Sequence, residues 1–238
     1  KYIIDSLCYW ASEYHIDGFR FDLMGVLDIE TLNEARKALL KINPDIIMYG
    51  EGWTGGESTL PESERGMKIN APRTPGIGMF SDDIRDAVKG HVFYMDELGF
   101  VNGAADRGEE LKQAVTCAKW AKSPMQSINY LSCHDNYTLW DRFIISNSHE
   151  SEEMRIRMNK LAAAILFTAQ GVPFFLHGEE FARTKISEAD GAPVENSYCS
   201  PLSVNAIDYD RAEQFSDLKA YYKGLITLRR AHKSFYLD

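Results

Sequence analysis

Two side chains that could act together on a polar bond stand two residues apart in the run Gly18-Phe19-Arg20-Phe21-Asp22. Alternate residues of a β-strand point to the same face, so a strand here places Arg20 beside Asp22. A neighbouring arginine favours the ionised form of a carboxylic acid, and the nucleophile of a glycoside hydrolase is an ionised, fixed carboxylate. Taken alone, however, this spacing favours a plain Arg–Asp ion pair that closes a strand.

A second acid, Glu51, lies between two glycines in the run Tyr-Gly-Glu-Gly-Trp that ends at Trp53. Glycines let the backbone bend and a ligand approach closely, and the flat apolar face of Trp53 is of the kind that packs on a sugar ring. Desolvation by an aromatic surface favours the protonated form of an acid, which suits a general acid. The alternative interpretation is a turn glutamate beside a core tryptophan.

A third acid, Asp135, stands between His134 and Asn136. The histidine could donate a hydrogen bond to a sugar hydroxyl. The aspartate could accept from two hydroxyls and strain the sugar ring towards its transition state. A buried or metal-binding histidine and an aspartate that caps the next segment are the alternatives.

Together the three acids favour a catalytic site more strongly than any one of them does, because each follows a different predicted strand. A retaining glycoside hydrolase needs two carboxyl groups about 5–5.5 Å apart on opposite sides of one bond. Adjacent strands of a sheet lie about 4.8 Å apart. Neighbouring strands that end in Asp22 and Glu51 therefore meet this distance without special folding.

Apolar periodicity and turn residues predict alternating strands and helices. The predicted helices span residues 2–14, 28–42, 109–122, 152–169 and 216–231, with a further helix opening at Ser81, and the predicted strands span residues 18–22, 46–49, 79–80, 127–133 and 172–177. This alternation predicts a parallel sheet. The strong strands end in polar or charged residues, at the edge that forms the active-site face of a (β/α)8 barrel.

Five strands are too few to close an eight-stranded barrel, and the first predicted element is a helix without a preceding strand. We therefore expect an α/β fold that is a partial (β/α)8 barrel, roughly strands 4 to 8 with their helices, incomplete at the N-terminus. On this interpretation residues 1–238 form the C-terminal portion of one catalytic domain.

The runs GFRFDLMG, YGEGW and YLSCHDN resemble three signature regions of the α-amylase superfamily, glycoside hydrolase family 13. The resemblance implies a (β/α)8 barrel and a retaining mechanism with Asp22 as nucleophile, Glu51 as acid/base and Asp135 as transition-state stabiliser. It also implies that Arg20 supports the nucleophile and that His134 binds the sugar in the −1 subsite.

Nearly the whole chain is similar to type I pullulanases, which cut α-1,6 branches; the runs that carry the likeness include SCHDNYTLWDR and HGEEFARTK. In that group Trp53 would line the substrate cleft, with help from Asn136. Cys199, Leu202 and Tyr209 depart from the group's pattern within the segment that would form the glucan-binding loop. The family's first signature region and the YNWGYDP-like motif have no match here, and both belong upstream of Lys1.

Composition limits the classes of partner and cofactor. A net charge of −9 argues against nucleic acid, which needs a basic face, and no apolar run approaches the roughly 18 residues of a membrane span. The four cysteines form no CxxC pair. Several relatives in the family use calcium. The sequence contains neither an EF-hand nor another cluster of calcium ligands. We therefore assign no metal ligand and leave open whether calcium binds.

The leading hypothesis is pullulanase-type debranching of α-1,6-glucosidic bonds, with an α-glucan such as pullulan, starch or glycogen as substrate. Another α-amylase-superfamily hydrolase, or an isoamylase-like enzyme, is the near alternative. An inactive or glucan-binding-only fragment is the alternative from a different class. We expect a soluble protein. Because the chain begins with Lys1 rather than Met, its sequence does not distinguish a cytoplasmic from a secreted location.

Overall fold

The computed structural model describes residues 1–236. The strands are β1 (Gly18–Phe21), β2 (Ile47–Gly50), β3 (Gly78–Ser81), β4 (Ser127–Asn129) and β5 (Val172–Pro173). The helices are α1 (Tyr2–Glu13), α2 (Ile29–Leu39), α3 (Asp82–Lys89), α4 (Gly108–Thr116), α5 (Leu139–Ser146), α6 (Glu152–Thr168), α7 (Leu202–Asn205), α8 (Asp210–Gln214) and α9 (Ser216–Ala231). The strands lie in the order β1-β2-β3-β4-β5 in one sheet, which agrees with the predicted alternation. The described residues fall into two compact units, residues 1–80 with 117–128 and residues 81–116 with 129–236.

The first unit is built on parallel strands. Gly18 pairs with Ile47 across β1 and β2, and Tyr49 pairs with Gly78 across β2 and β3. Parallel pairing brings the carboxyl ends of these strands to the same edge of the sheet. The core beneath them is formed by buried apolar side chains, among them Met24, Leu32, Leu39, Ile46, Met48, Ile77 and Met79.

Helix α2 begins where its sequence provides a cap. The Asp28 carboxylate accepts hydrogen bonds from the backbone N–H of Thr31 at 2.6 Å and from its hydroxyl at 2.7 Å. This satisfies an amide that the first turn of a helix otherwise leaves unpaired. Burial opposes the charge, but the bonds from Thr31 outweigh it and hold the pKa of Asp28 below its ordinary value.

The second unit is built on helices. Its core is an apolar cluster that includes Leu131, Leu139, Phe143, Ala162, Ala163, Leu166, Leu218 and Tyr222. The backbone N–H of Phe174, just after β5, donates to the carbonyl of Asn129 at the end of β4 at 2.7 Å. Within the described part of the chain, no helix is both long enough and apolar enough to cross a lipid bilayer.

Several predicted boundaries differ from the structure; helix α2, for example, ends at Leu39 rather than at residue 42. The strand predicted over 127–133 ends at Asn129, because the chain then enters a turn in which Asn136 has a φ of 60°. Likewise, β5 ends at Pro173 rather than at residue 177. Helix α4 ends at Thr116 rather than at residue 122; the Thr116 hydroxyl donates to helical carbonyls three and four residues back.

Candidate functional site

The carboxyl end of β1 places Arg20 and Asp22 together, as the alternation of the strand predicted. One guanidinium nitrogen of Arg20 donates to the Asp22 carboxylate. The other terminal nitrogen donates to Oε1 of Glu51 at 2.5 Å. The guanidinium therefore contacts both carboxylates, and the plain Arg–Asp pair that the spacing alone favours is only part of the arrangement.

The two carboxylates have different surroundings. The Asp22 side chain is 62% exposed, whereas that of Glu51 is 5% exposed. A carboxylate oxygen of Asp22 lies within 4.8 Å of one from Glu51. One acid therefore faces solvent and the other is enclosed, although the same arginine contacts both.

Glu51 is held at several points of its backbone and side chain. Its Oε2 accepts from the backbone N–H of Leu23 at 2.7 Å, and its own N–H donates to the carbonyl of Phe21 at 3.0 Å. Leu23 has a φ of 43°, a left-handed conformation that costs a residue with a side chain about 1–2 kcal/mol. The unfavourable turn at Leu23 directs its backbone N–H towards the buried Glu51 carboxylate. The sequence did not predict this turn, because neither glycine nor asparagine stands at position 23.

Trp53 lies on a loop whose backbone is fixed against the first unit. Its carbonyl accepts from the N–H of Gly25 at 3.0 Å. A Cβ placed on Gly25 would lie 2.5 Å from the Trp53 carbonyl, so only glycine fits this approach. The Trp53 indole is half-buried, and the ammonium of Lys68 lies 5.9 Å from its ring centroid.

Phe80 is an aromatic neighbour that sequence reasoning did not select. The Arg20 guanidinium carbon lies 5.8 Å from the Phe80 ring centroid, and the Tyr49 ring meets Phe80 edge-on at 5.6 Å. A cation over an aromatic face is attracted by the ring quadrupole. Phe80 stands in β3 at the same edge of the sheet, which is the signal that could have identified it.

In the second unit, His134, Asp135 and Asn136 form an exposed turn after β4. The Nε2 of His134 lies 3.6 Å from Oδ2 of Asp135, and both side chains are about half exposed. The N–H of Asn136 donates to Oδ1 of Asn196 at 2.9 Å. Oδ1 of Asn136 is buried and has no hydrogen-bond partner among residues 1–236.

Below this turn lies a buried polar group that the sequence analysis did not predict. The hydroxyl of Ser132 donates to Oε2 of Glu179, and the hydroxyl of Tyr222 lies 3.4 Å from Oε1. Burial raises the pKa of Glu179 to about 7, against the opposing effect of Lys89. Burial also lowers the pKa of Lys89 to about 7.

Each unit by itself thus presents part of the predicted set. The first brings Arg20, Asp22 and Glu51 into contact, and the second brings His134 against Asp135. Within either unit taken alone, no group of three or more histidine, cysteine or acidic side chains in the described chain offers ligand atoms to one metal ion.

The chain matches no model of a protein family, but it is similar to curated pullulanases. It is 41% identical over 244 residues to a pullulanase of Bacillus subtilis, which covers 100% of this chain and 33% of the relative. To pullulanase A of Streptococcus pneumoniae it is 32% identical over 286 residues, 100% of this chain and 22% of the relative. The chain thus spans about a third or less of the length of these relatives.

Solved structures give the same result. The pullulanase of an Anoxybacillus species, complexed with maltotriose, matches 99% of this chain and 33% of its own with a TM-score of 0.94 and 44% identity. The pullulanase of Paenibacillus barengoltzii, complexed with maltohexaose and α-cyclodextrin, matches 100% of this chain and 37% of its own with a TM-score of 0.92 and 46% identity. These matches confirm the predicted α/β fold class, part of a (β/α)8 barrel.

Proposed function

Because this chain belongs to the pullulanase family, we propose that it carries the catalytic residues of a retaining glycoside hydrolase that cleaves α-1,6-glucosidic bonds in branched α-glucans. We further propose that residues 1–238 are the C-terminal portion of a (β/α)8 catalytic domain. The observation that carries the retaining mechanism is the approach of Asp22 and Glu51 to within 4.8 Å. Retaining enzymes hold their carboxyl groups about 5–5.5 Å apart, whereas inverting enzymes need room for a water between them, about 6.5–9.5 Å.

Asp22 is the nucleophile in this proposal. Its exposed carboxylate attacks the anomeric carbon, the glycosidic C–O bond breaks, and a covalent glycosyl-enzyme ester forms. The contact with Arg20 fixes the orientation of this carboxylate.

Glu51 is the acid/base. Its carboxyl group gives a proton to the departing glycosidic oxygen, and its carboxylate later takes a proton from the water that hydrolyses the ester. Its burial excludes competing solvent, and the Leu23 N–H and the Arg20 guanidinium fix its two oxygens. Arg20 thus sets the orientation of both acids, and holding catalytic groups in the reactive geometry lowers the barrier to the reaction.

The turn after β4 supplies sugar contacts in this proposal. Asp135 accepts from two hydroxyls of the ring that is being distorted, and His134 donates to one of them. Trp53 offers an apolar ring face to a neighbouring glucose unit, and Asn136 contributes its amide. An α-glucan is the partner because related pullulanases are solved with maltotriose and maltohexaose.

The test uses the natural full-length protein that contains this chain, with pullulan as substrate. We expect release of maltotriose, and we expect Asp22→Asn to lower kcat by at least about a thousandfold, because the nucleophile is lost while its shape is kept. Asp45→Asn, an exposed aspartate of the same unit, is the matched control and keeps the wild-type rate.

Cleavage of linear amylose without any cleavage of pullulan would replace debranching with an amylase-type activity. Binding of glucan with equal, negligible turnover by the wild type and Asp22→Asn would mean that the protein only binds its polysaccharide.

A further inference from the structure

Glu179 is a carboxylic acid in the core of the second unit that the proposed mechanism does not use. It is 3% exposed, and its oxygens face the hydroxyls of Ser132 and Tyr222. Removing a carboxylate from water costs several kcal/mol unless hydrogen bonds and a counter-charge compensate. Glu179 bears this desolvation cost although the proposed mechanism gives it no contact with substrate. It is therefore a candidate for positioning residues that do contact the substrate.

Ser132 connects this acid to the turn that bears the third candidate carboxylate. It is 2% exposed and lies between the end of β4 at Asn129 and His134. The turn is held at its far end by the bond from the Asn136 N–H to Asn196. Its near end is held by the hydroxyl of Ser132 on Glu179.

We propose that Glu179 is a positioning residue that acts through Ser132 to fix the turn carrying His134 and Asp135. The inference rests on the proposed function, because that function assigns the sugar contacts to His134 and Asp135. A displacement of about 1 Å of a group that stabilises a transition state costs up to about a hundredfold in rate. A buried anchor three residues before Asp135 therefore controls kcat without contacting the sugar.

The surroundings of Glu179 make this anchor sensitive to pH. Burial and the neighbouring Glu180 raise the pKa of Glu179, Ser132, Lys89 and Tyr222 lower it, and the net result is a pKa of about 7. Besides Glu179 itself, the charged groups that act on Lys89 are Arg85, Arg142 and Asp86. As an anion, Glu179 accepts a charge-assisted hydrogen bond from Ser132; once protonated, it keeps an acceptor oxygen, but the bond loses its charge assistance and is roughly half as strong. The anchor is therefore strongest above pH 7.

The experiment compares Glu179→Gln, Ser132→Ala and the double variant in the natural full-length protein, with Glu180→Gln as the matched control. Each single variant is expected to lower kcat on pullulan by about tenfold with KM unchanged. The double variant falls no further than either single one, because both remove the same contact. The comparison is made above pH 7, where Glu179 is ionised with or without the charge of Glu180, and there Glu180→Gln leaves kcat unchanged.

The pH profile separates positioning from simple stabilisation. In the wild type, kcat rises through pH 7 as Glu179 ionises; in Glu179→Gln this rise is absent, because the amide does not titrate. A fall in melting temperature with kcat, KM and the pH profile unchanged would overturn the proposal, and so would additive losses in the double variant.

Hydrogen exchange of the backbone amides from Cys133 to Asn136 tests the same anchor without any turnover. Faster exchange in Glu179→Gln and Ser132→Ala, but not in Glu180→Gln, supports the anchor even if the wild type fails to cleave pullulan. Unchanged exchange in a wild type that does cleave pullulan would reject the anchor and leave the proposed function standing.

Discussion

Arg20 is the side chain that makes two separate acids into one cluster. The sequence places it beside Asp22, because the two are alternate residues of one strand. Its contact with Glu51 joins residues 31 positions apart, and nothing in the local pattern predicts which way a long arginine side chain turns. The guanidinium can serve both acids because it presents several donors in a rigid plane.

The unequal exposure of the two acids follows from their neighbours rather than from their own type. Glu51 lies between glycines, and a Cβ on Gly50 would lie 2.6 Å from the carbonyl of Phe21. The backbones of β1 and β2 can therefore approach closely and enclose the Glu51 side chain. Asp22 follows the last residue of β1 and remains exposed.

The buried pair Lys89 and Glu179 gives a stability prediction at the residue scale. The pKa of Glu179 is raised from 4.5 to about 7, so its favourable contribution is complete below pH 4.5 and is lost as the pH rises to 7. The pKa of Lys89 is lowered from 10.5 to about 7, so its contribution is complete above pH 10.5 and is lost as the pH falls to 7. The pair therefore destabilises the fold most near pH 7.

Replacing both groups with neutral side chains of similar shape, Lys89→Met with Glu179→Gln, is expected to raise the free energy of unfolding most near pH 7, by on the order of 1 kcal/mol or more. Urea unfolding at several pH values measures this. The exposed pair Glu34 and Lys37, changed to Gln and Met, is the control and shifts stability little. A gain that is independent of pH would contradict the prediction.

At the scale of elements, the ends of the strands decide where the candidate side chains lie. β1 ends at Phe21 and passes into a left-handed residue, Leu23, whose amide reaches Glu51. β4 ends at Asn129 and passes into the turn at Asn136. Both turns carry a non-glycine residue with positive φ, a strain that native proteins tend to keep at functional sites.

The contact between Gly25 and the loop of Trp53 gives a prediction at this scale. Gly25→Ala places a methyl group 2.5 Å from the Trp53 carbonyl, so the loop has to move. We expect a loss of unfolding free energy of about 1–3 kcal/mol and a higher KM for pullulan in the full-length protein. Thermal unfolding and initial rates measure the two effects.

Gly56→Ala is the matched control. Gly56 lies on the loop that carries Trp53, and a Cβ there meets nothing within 4 Å. It should leave both the stability and KM near their wild-type values. Equal effects of the two substitutions would show that the loop responds to loss of glycine flexibility and not to the close approach at Gly25.

At the scale of the whole molecule, the sheet has β1 and β5 as its terminal strands. A terminal strand presents unpaired backbone groups on which another chain can pair. Helix α1 and the residue that follows it add exposed aromatic side chains, with Tyr9, Trp10 and Tyr14 between 43% and 57% exposed. Both features favour association of the 238-residue polypeptide when it is produced by itself.

Light scattering of residues 1–238 is therefore expected to detect species larger than a monomer. Tyr9→Lys with Trp10→Lys should reduce the association, because it places charge on the exposed face of α1. Tyr198→Lys, at a still more exposed tyrosine of the second unit, is the control and should not reduce it. A monodisperse monomer of the unchanged polypeptide would refute the prediction.

The sequence by itself determined that Asp22 and Glu51 stand at strand ends and that the fold alternates strands and helices. Both follow from local rules: alternation along a strand places Arg20 beside Asp22, and apolar periodicity marks the helices. The same rules made the predicted β4 and β5 longer than the observed strands, because a buried apolar run continues past the last paired residue into a turn.

Only the tertiary structure decided how these side chains meet. The second contact of Arg20, the amide of Leu23 on Glu51, and the burial of Glu179 under Ser132 all join residues far apart in the chain. Such contacts depend on which elements pack together, and packing is set by the whole core rather than by any single segment. The sequence therefore gives the identity of the candidate acids, and the fold gives each acid its partners and its exposure to water.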